Sequence, residues 1–171
     1  MEKADFNKLL ELVKSLNFSN AEIASLKNSL NDNSLERMTK FMLIHSIQEL
    51  ENKKLKLEMS LIEYPLYAVD VAIAGLRFDF EKKNPMEARF KLTRDFNKVV
   101  SNHDKKDATD IKFLIVLMCL YLLSKNRLDL SIVAYITNDL AIGAVLCSAA
   151  IEDEKLVMQL DEMRNKNKTN F

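Results

Sequence analysis

Only four positions in this 171-residue chain are glycine or proline: Gly75, Gly143, Pro65 and Pro85. An average chain this long would carry roughly a dozen glycines and eight or nine prolines. Tight turns between strands depend on residues that tolerate positive φ or hold φ near the turn value. A sheet-rich fold would have almost no means of turning this chain, so the sequence predicts an all-α protein. Apolar residues at 48% and charged residues at 29% supply both a core and a solvated surface, which excludes a wholly disordered chain.

Apolar spacing then places the helices. Phe6, Leu9, Leu10, Val13 and Leu16 form one stripe of a first helix, which Asn17-Phe18 is expected to end. Ser19 and Glu22 stand at capping-box spacing before Ile23, Leu26 and Leu30, so a short second helix is expected there. After a turn at residues 31–34, with Asn33 or Ser34 as cap, a third helix runs from Leu35 to Ile62. Leu43, Ile47, Leu50, Leu57 and Leu61 follow heptad spacing along it, and Leu35, Met38, Phe41 and Met42 add a second strip near its start. Further helices are expected over Leu66–Lys83, Met86–Ser101 and Ile111–Ser124. A seventh, capped by Asp129 or Ser131, runs to Ile151, and Leu156, Leu160 and Met163 extend the pattern. The expected architecture is an irregular or orthogonal bundle of six to eight helices. It forms a single domain over residues 1–163, followed by a polar, frayed tail at 164–171.

The sixth and seventh helices form a central apolar hairpin. Phe113 to Leu123 is unbroken in its apolarity but covers 11 residues, against the roughly 20 needed to span a bilayer. Leu130 to Ile151 is long enough, with Ala141, Gly143, Ala144, Ala149 and Ala150 allowing close approach of a neighbour. It carries Asn138 and Asp139 at its middle, however, and an Asp there costs about 2.5–3.5 kcal/mol on insertion. Both segments therefore read as buried helices of a bundle with no membrane partner. Cys119 and Cys147 sit within apolar runs and behave as small buried hydrophobes rather than metal ligands. The charged N-terminus has no apolar signal core, so a cytoplasmic, reducing setting is expected.

Candidate chemistry is sparse. His45 and Glu49 stand at i, i+4, a spacing that can serve a metal, but further ligands are missing and His45 is expected to be half-buried at the edge of the Leu35–Met38–Met42 strip. His45, His103-Asp104 and Asp139 occur in the order used by helical HD-type phosphohydrolases, which hold a metal that activates water. Those enzymes set the His-Asp pair in an apolar helix, whereas Ser101 to Lys106 reads as a solvated loop. Phe18 to Leu26 resembles the first helix of a helix-turn-helix module. No basic recognition helix follows, and residues 1–60 hold nine basic and nine acidic side chains. With 25 basic and 25 acidic residues overall, no net field draws nucleic acid or anionic lipid.

Asn138 and Asp139 form the sharpest polar pair on an apolar helix, and Arg77 or Arg127 could match the carboxylate. No phosphate loop, nucleophile elbow or Cys/His dyad spacing is present. The sequence therefore predicts a non-enzymatic protein–protein interaction module of adaptor, chaperone, immunity or effector type. It needs no cofactor and no metal, and binds another protein, or a second copy of itself, through an apolar helix face or groove. Met38, Met42, His45, Arg77, Asn138 and Asp139 are the candidate interaction and network residues. A nucleic-acid-associated regulator and an HD-like hydrolase are the alternatives.

Overall fold

The computed structural model describes residues 1–80, 85–139 and, near the C-terminus, Met158, Glu162 and Asn165. Within them the chain is all-helical: α1 (Lys3–Leu30), α2 (Arg37–Leu61), α3 (Leu66–Phe80), α4 (Pro85–Asn102), a 3-10 turn (Lys105–Asp107), α5 (Ala108–Ser124) and α6 (Leu130–Asp139). The seventh helix beyond Asp139, its small-residue positions, Cys147, the Leu156–Leu160–Met163 strip and the polar tail lie outside the described residues. So does the stretch after Phe80 that was expected to end the fourth predicted helix.

The expected break at Asn17-Phe18 does not occur, because α1 runs unbroken to Leu30. Neither residue is a strong breaker. Each costs a helix interior only about 0.5 kcal/mol relative to alanine, far below proline. Ser19 is consequently a buried mid-helix residue rather than an N-cap. The next cap also differs from expectation. Asp32 Oδ1 accepts hydrogen bonds from the Ser34 amide at 2.9 Å and the Ser34 hydroxyl at 2.7 Å, closing a local Asx-turn. Those bonds hold the Asp32 carboxyl below its ordinary range. α2 then starts three residues later, behind Glu36, which makes no side-chain capping bond.

The chain divides into two compact units, residues 7–65 and residues 1–6 with 66–171. In the first, α1 and α2 run antiparallel. Lys27 Nζ meets Glu51 Oε1 at 2.8 Å toward one end. Toward the other, Glu11, Leu12 and Ser15 face Ser60 and Tyr64 across a groove of about 550 Å³.

The second unit is organised around α5. Ile111, Leu114 to Cys119 and Leu122 are all buried, and α3, α4 and α6 pack against this helix. A helix apolar on every side can hide its surface only by being surrounded. Gly75 on α3 lets α5 come close, because a Cβ there would overlap the Met118 side chain. The C-terminus of α5 closes as a Schellman motif. Asn126 takes φ 54°, its amide donates to the Leu123 carbonyl at 3.0 Å, and the Arg127 amide donates to Leu122 at 2.9 Å. Asn tolerates the left-handed region better than other non-glycine residues, so no glycine is required here. Asp129 Oδ1 then accepts from the Ile132 amide at 2.9 Å and caps α6, one of the two caps expected. Arg89 on α4 lies over Tyr135 on α6, with its guanidinium carbon 4.2 Å from the ring centroid, and Phe90 meets the same ring edge-on. Among the described residues no helix is long and apolar enough to cross a membrane.

Candidate functional site

α2 has two apolar strips on opposite sides. Leu43, Ile47, Leu50, Leu57 and Leu61 make the inner one, half-buried along its length with Ile47 buried. Each residue advances about 100° around an α-helix, so positions 38, 41, 45, 48, 52, 55, 59 and 62 share the side facing away from that strip. These positions also alternate steps of three and four, the spacing of a second heptad seam. Met38, Phe41, Leu55, Met59 and the flanking Met42 and Ile62 are between 56% and 81% exposed. Between the two apolar ends stand His45, Gln48 and Asn52, all exposed.

Three of the predicted residues, Met38, Met42 and His45, thus come together on one face. His45 is not half-buried as expected. Its side chain is 66% exposed, with Nε2 at 3.4 Å from Glu49 Oε1. The reason is the phase of the helix: the inner leucine strip turns position 45 outward. Leu55 and Ile62 were not singled out from the sequence. Their signal was the second seam itself, hidden because its middle is polar.

Arg77 lies elsewhere, on α3. It lines a polar notch of about 200 Å³ between α3 and α4 with Asp70, Asp95, Lys98 and Asn102. Beside this notch His103 Nε2 donates to Asp70 Oδ2 at 2.8 Å. Ser101, Asn102 and Asp104 to Lys106 are exposed, as expected of a solvated connection, and His103 alone departs from it, with its side chain only 18% exposed. Tyr67 meets the His103 ring edge-on and donates from its hydroxyl to Asp110 Oδ2 at 3.4 Å. Burial, followed by the Asp110 and Asp107 carboxylates, raises the Tyr67 pKa above its ordinary value. Asp104, the neighbour of His103, turns to Lys106 Nζ at 3.7 Å, so the two residues of the His-Asp pair have different partners.

This cluster clasps the end of α4 to the first turns of α3. Among the described residues no group of three or more His, Cys, Asp or Glu side chains is placed to hold a metal ion. Asn138 and Asp139 are the last two residues of α6, and their side chains lie outside the described set. Cys119 is fully buried, and desolvation pushes its pKa up to about 12, so it is a neutral thiol rather than a nucleophile. Compared with protein-family models, with curated proteins and with solved structures, the chain matches none.

Proposed function

We propose that this chain is a non-enzymatic protein–protein interaction module that engages its partner through the outer face of α2. One observation carries the reading: six large apolar side chains, Met38, Phe41, Met42, Leu55, Met59 and Ile62, stand exposed on and at the edges of the outer face of α2 and its C-cap, with Ile44 44% exposed beside them. Apolar side chains scattered singly over a surface need no explanation, whereas exposed apolar clusters aligned on one helix, here at the two ends of a face with a polar centre, are the usual mark of a binding face. Three of the six are methionines, whose unbranched, polarizable side chains adapt to a partner's contours. The reading sets the chain in the cytoplasm, where a thiol such as Cys119 stays reduced.

The test is site-specific photocrosslinking in the cells that make the protein. A benzophenone side chain replaces Phe41 or Met59 in the full chain, and Arg94, a 74% exposed position on α4, serves as the control. Discrete protein adducts at positions 41 and 59, with none at 94, are expected. Absence of adducts at both α2 positions would reject the interface.

A further inference from the structure

We infer that the occupant of this face is a second copy of the chain, with the two α2 helices packed antiparallel about a two-fold axis level with residue 50. The inference rests on the reading of the outer α2 face as an interface and identifies what covers it. The strip extends about 36 Å at 1.5 Å per residue, long enough for a two-helix seam. Along the seam its chemistry is arranged symmetrically about its centre: apolar at Met38 and Phe41, polar at His45, Gln48 and Asn52, apolar again at Leu55, Met59 and Ile62, with Met42 and Ile44 as additional apolar flanks at the first end.

In an antiparallel pair, each heptad position of one kind faces the other kind on its partner. Met38 then meets the partner's Ile62, Phe41 the partner's Met59, and His45 the partner's Leu55. Gln48 faces the partner's Asn52 next to the axis. Two side-chain amides there can exchange hydrogen bonds and fix the register, as a single polar layer does in other helical seams. Sliding one helix by a heptad would set Phe41 against the partner's Asn52 and leave an end unpaired.

The flanking charges agree with this register. Arg37 stands opposite the partner's Glu58, and Glu49 opposite the partner's Lys56. Symmetry repeats both pairs. The like charges that meet are Glu49 and Glu51, each facing its own copy beside the axis, and Glu51 is already paired with Lys27 of its own chain at 2.8 Å. All four side chains of the attractive pairs belong to exposed residues. Glu49 and Glu58 are held only by loose contacts within α2, at 3.4 Å to His45 and 3.7 Å to Lys54. A parallel pair does worse. It brings Glu58 against the partner's Glu63, keeps only the attraction between Glu51 and the partner's Lys56, and stacks His45 on its own copy. Charge pairing at seam-flanking positions sets orientation in this way.

Sedimentation of the purified full chain from low to high micromolar concentration should give a species of twice 19.7 kDa. Phe41→Glu and Met59→Glu should each yield a monomer of unchanged helicity, because both side chains are already exposed, and its melting temperature should match the original only at dilutions where the original is also monomeric. Glu49→Lys or Lys56→Glu alone should raise the dimer Kd about tenfold, by replacing two attractions with two repulsions. Glu49→Lys/Lys56→Glu should restore it to within about threefold of the original. In a parallel pair Lys56→Glu still faces Glu51, so a double variant that stays weak overturns the antiparallel register. A dimer indifferent to Phe41→Glu and Met59→Glu overturns the face. A wild-type monomer at every concentration overturns self-pairing. If photo-adducts to other proteins then persist at position 41, the interface reading stands without it, and if none form, both fall.

Discussion

The side chain of Met118 occupies the space in which a Cβ on Gly75 would sit, with its Sδ 2.6 Å from that point and Cγ and Cε nearer still. Gly75→Ala gains about 1 kcal/mol of helix propensity on α3. It also drives a methyl into a fully buried thioether held between helices, and overpacking of this kind costs about 1–3 kcal/mol. A net loss of about 1 kcal/mol is expected by denaturant titration. In a Met118→Ala background, where the obstruction is gone, the same change should be neutral or stabilising. A Gly75→Ala protein that is more stable than the original would show that α3 and α5 are not this close.

His103 and Asp70 are 33 residues apart in sequence and 2.8 Å apart in space. Each single truncation to alanine removes this hydrogen bond and leaves the other partner without it. Asp70 is 47% exposed, so water takes over part of the loss. A double-mutant cycle over Asp70→Ala and His103→Ala should give a coupling of about 1 kcal/mol. Coupling indistinguishable from zero would mean that the clasp adds nothing to the packing of α3 against α4.

Composition and periodicity were sufficient for the helical class and for the buried course of α5, because an all-round apolar helix in water has one solution. They misread α1. A polar-aromatic pair and an S-x-x-E spacing look like a boundary, yet without glycine or proline nothing stops hydrogen bonding from continuing through Asn17 and Phe18. The outer α2 face was half legible: Met38, Phe41 and Met42 stood out, while Leu55 and Ile62 were masked by the polar centre between them. The Asp70–His103 clasp was not legible from spacing, since it depends on how α3 and α4 pack. Its local trace was Asp70 within the apolar run Leu66 to Leu76, with Arg77 two turns beyond.

Cys119 is enclosed on α5, and desolvation of its thiolate lifts its pKa to about 12. At neutral pH the nucleophilic form is therefore negligible and no reagent reaches the sulfur. In a Cys147→Ala protein, labelling by a thiol-specific reagent should be undetectable under native conditions and should appear with the cooperative unfolding transition. Rapid labelling without denaturant would show that the centre of this unit opens far below its global stability.

Asp129 caps α6 through its bond from the Ile132 amide, and the Ser131 hydroxyl donates to the same carboxylate oxygen. The Ser131 hydroxyl, then the Ile132 amide, with a smaller contribution from Arg89, hold the carboxyl below its ordinary value of 3.8. A carboxyl whose folded pKa lies below its unfolded pKa stabilises the protein fully above the unfolded value, and that contribution is lost as pH falls through the folded value. Asp129→Ala should cost about 1 kcal/mol at neutral pH by removing the cap. Asp129→Asn keeps a capping oxygen without the charge, so its deficit isolates the ionised form. That deficit should be constant from neutral pH down to mild acid and shrink once the pH drops below about 4. Thermal unfolding of both variants across this range provides the measurement, and a deficit that grows toward acid pH would mean that the folded carboxyl is raised rather than lowered.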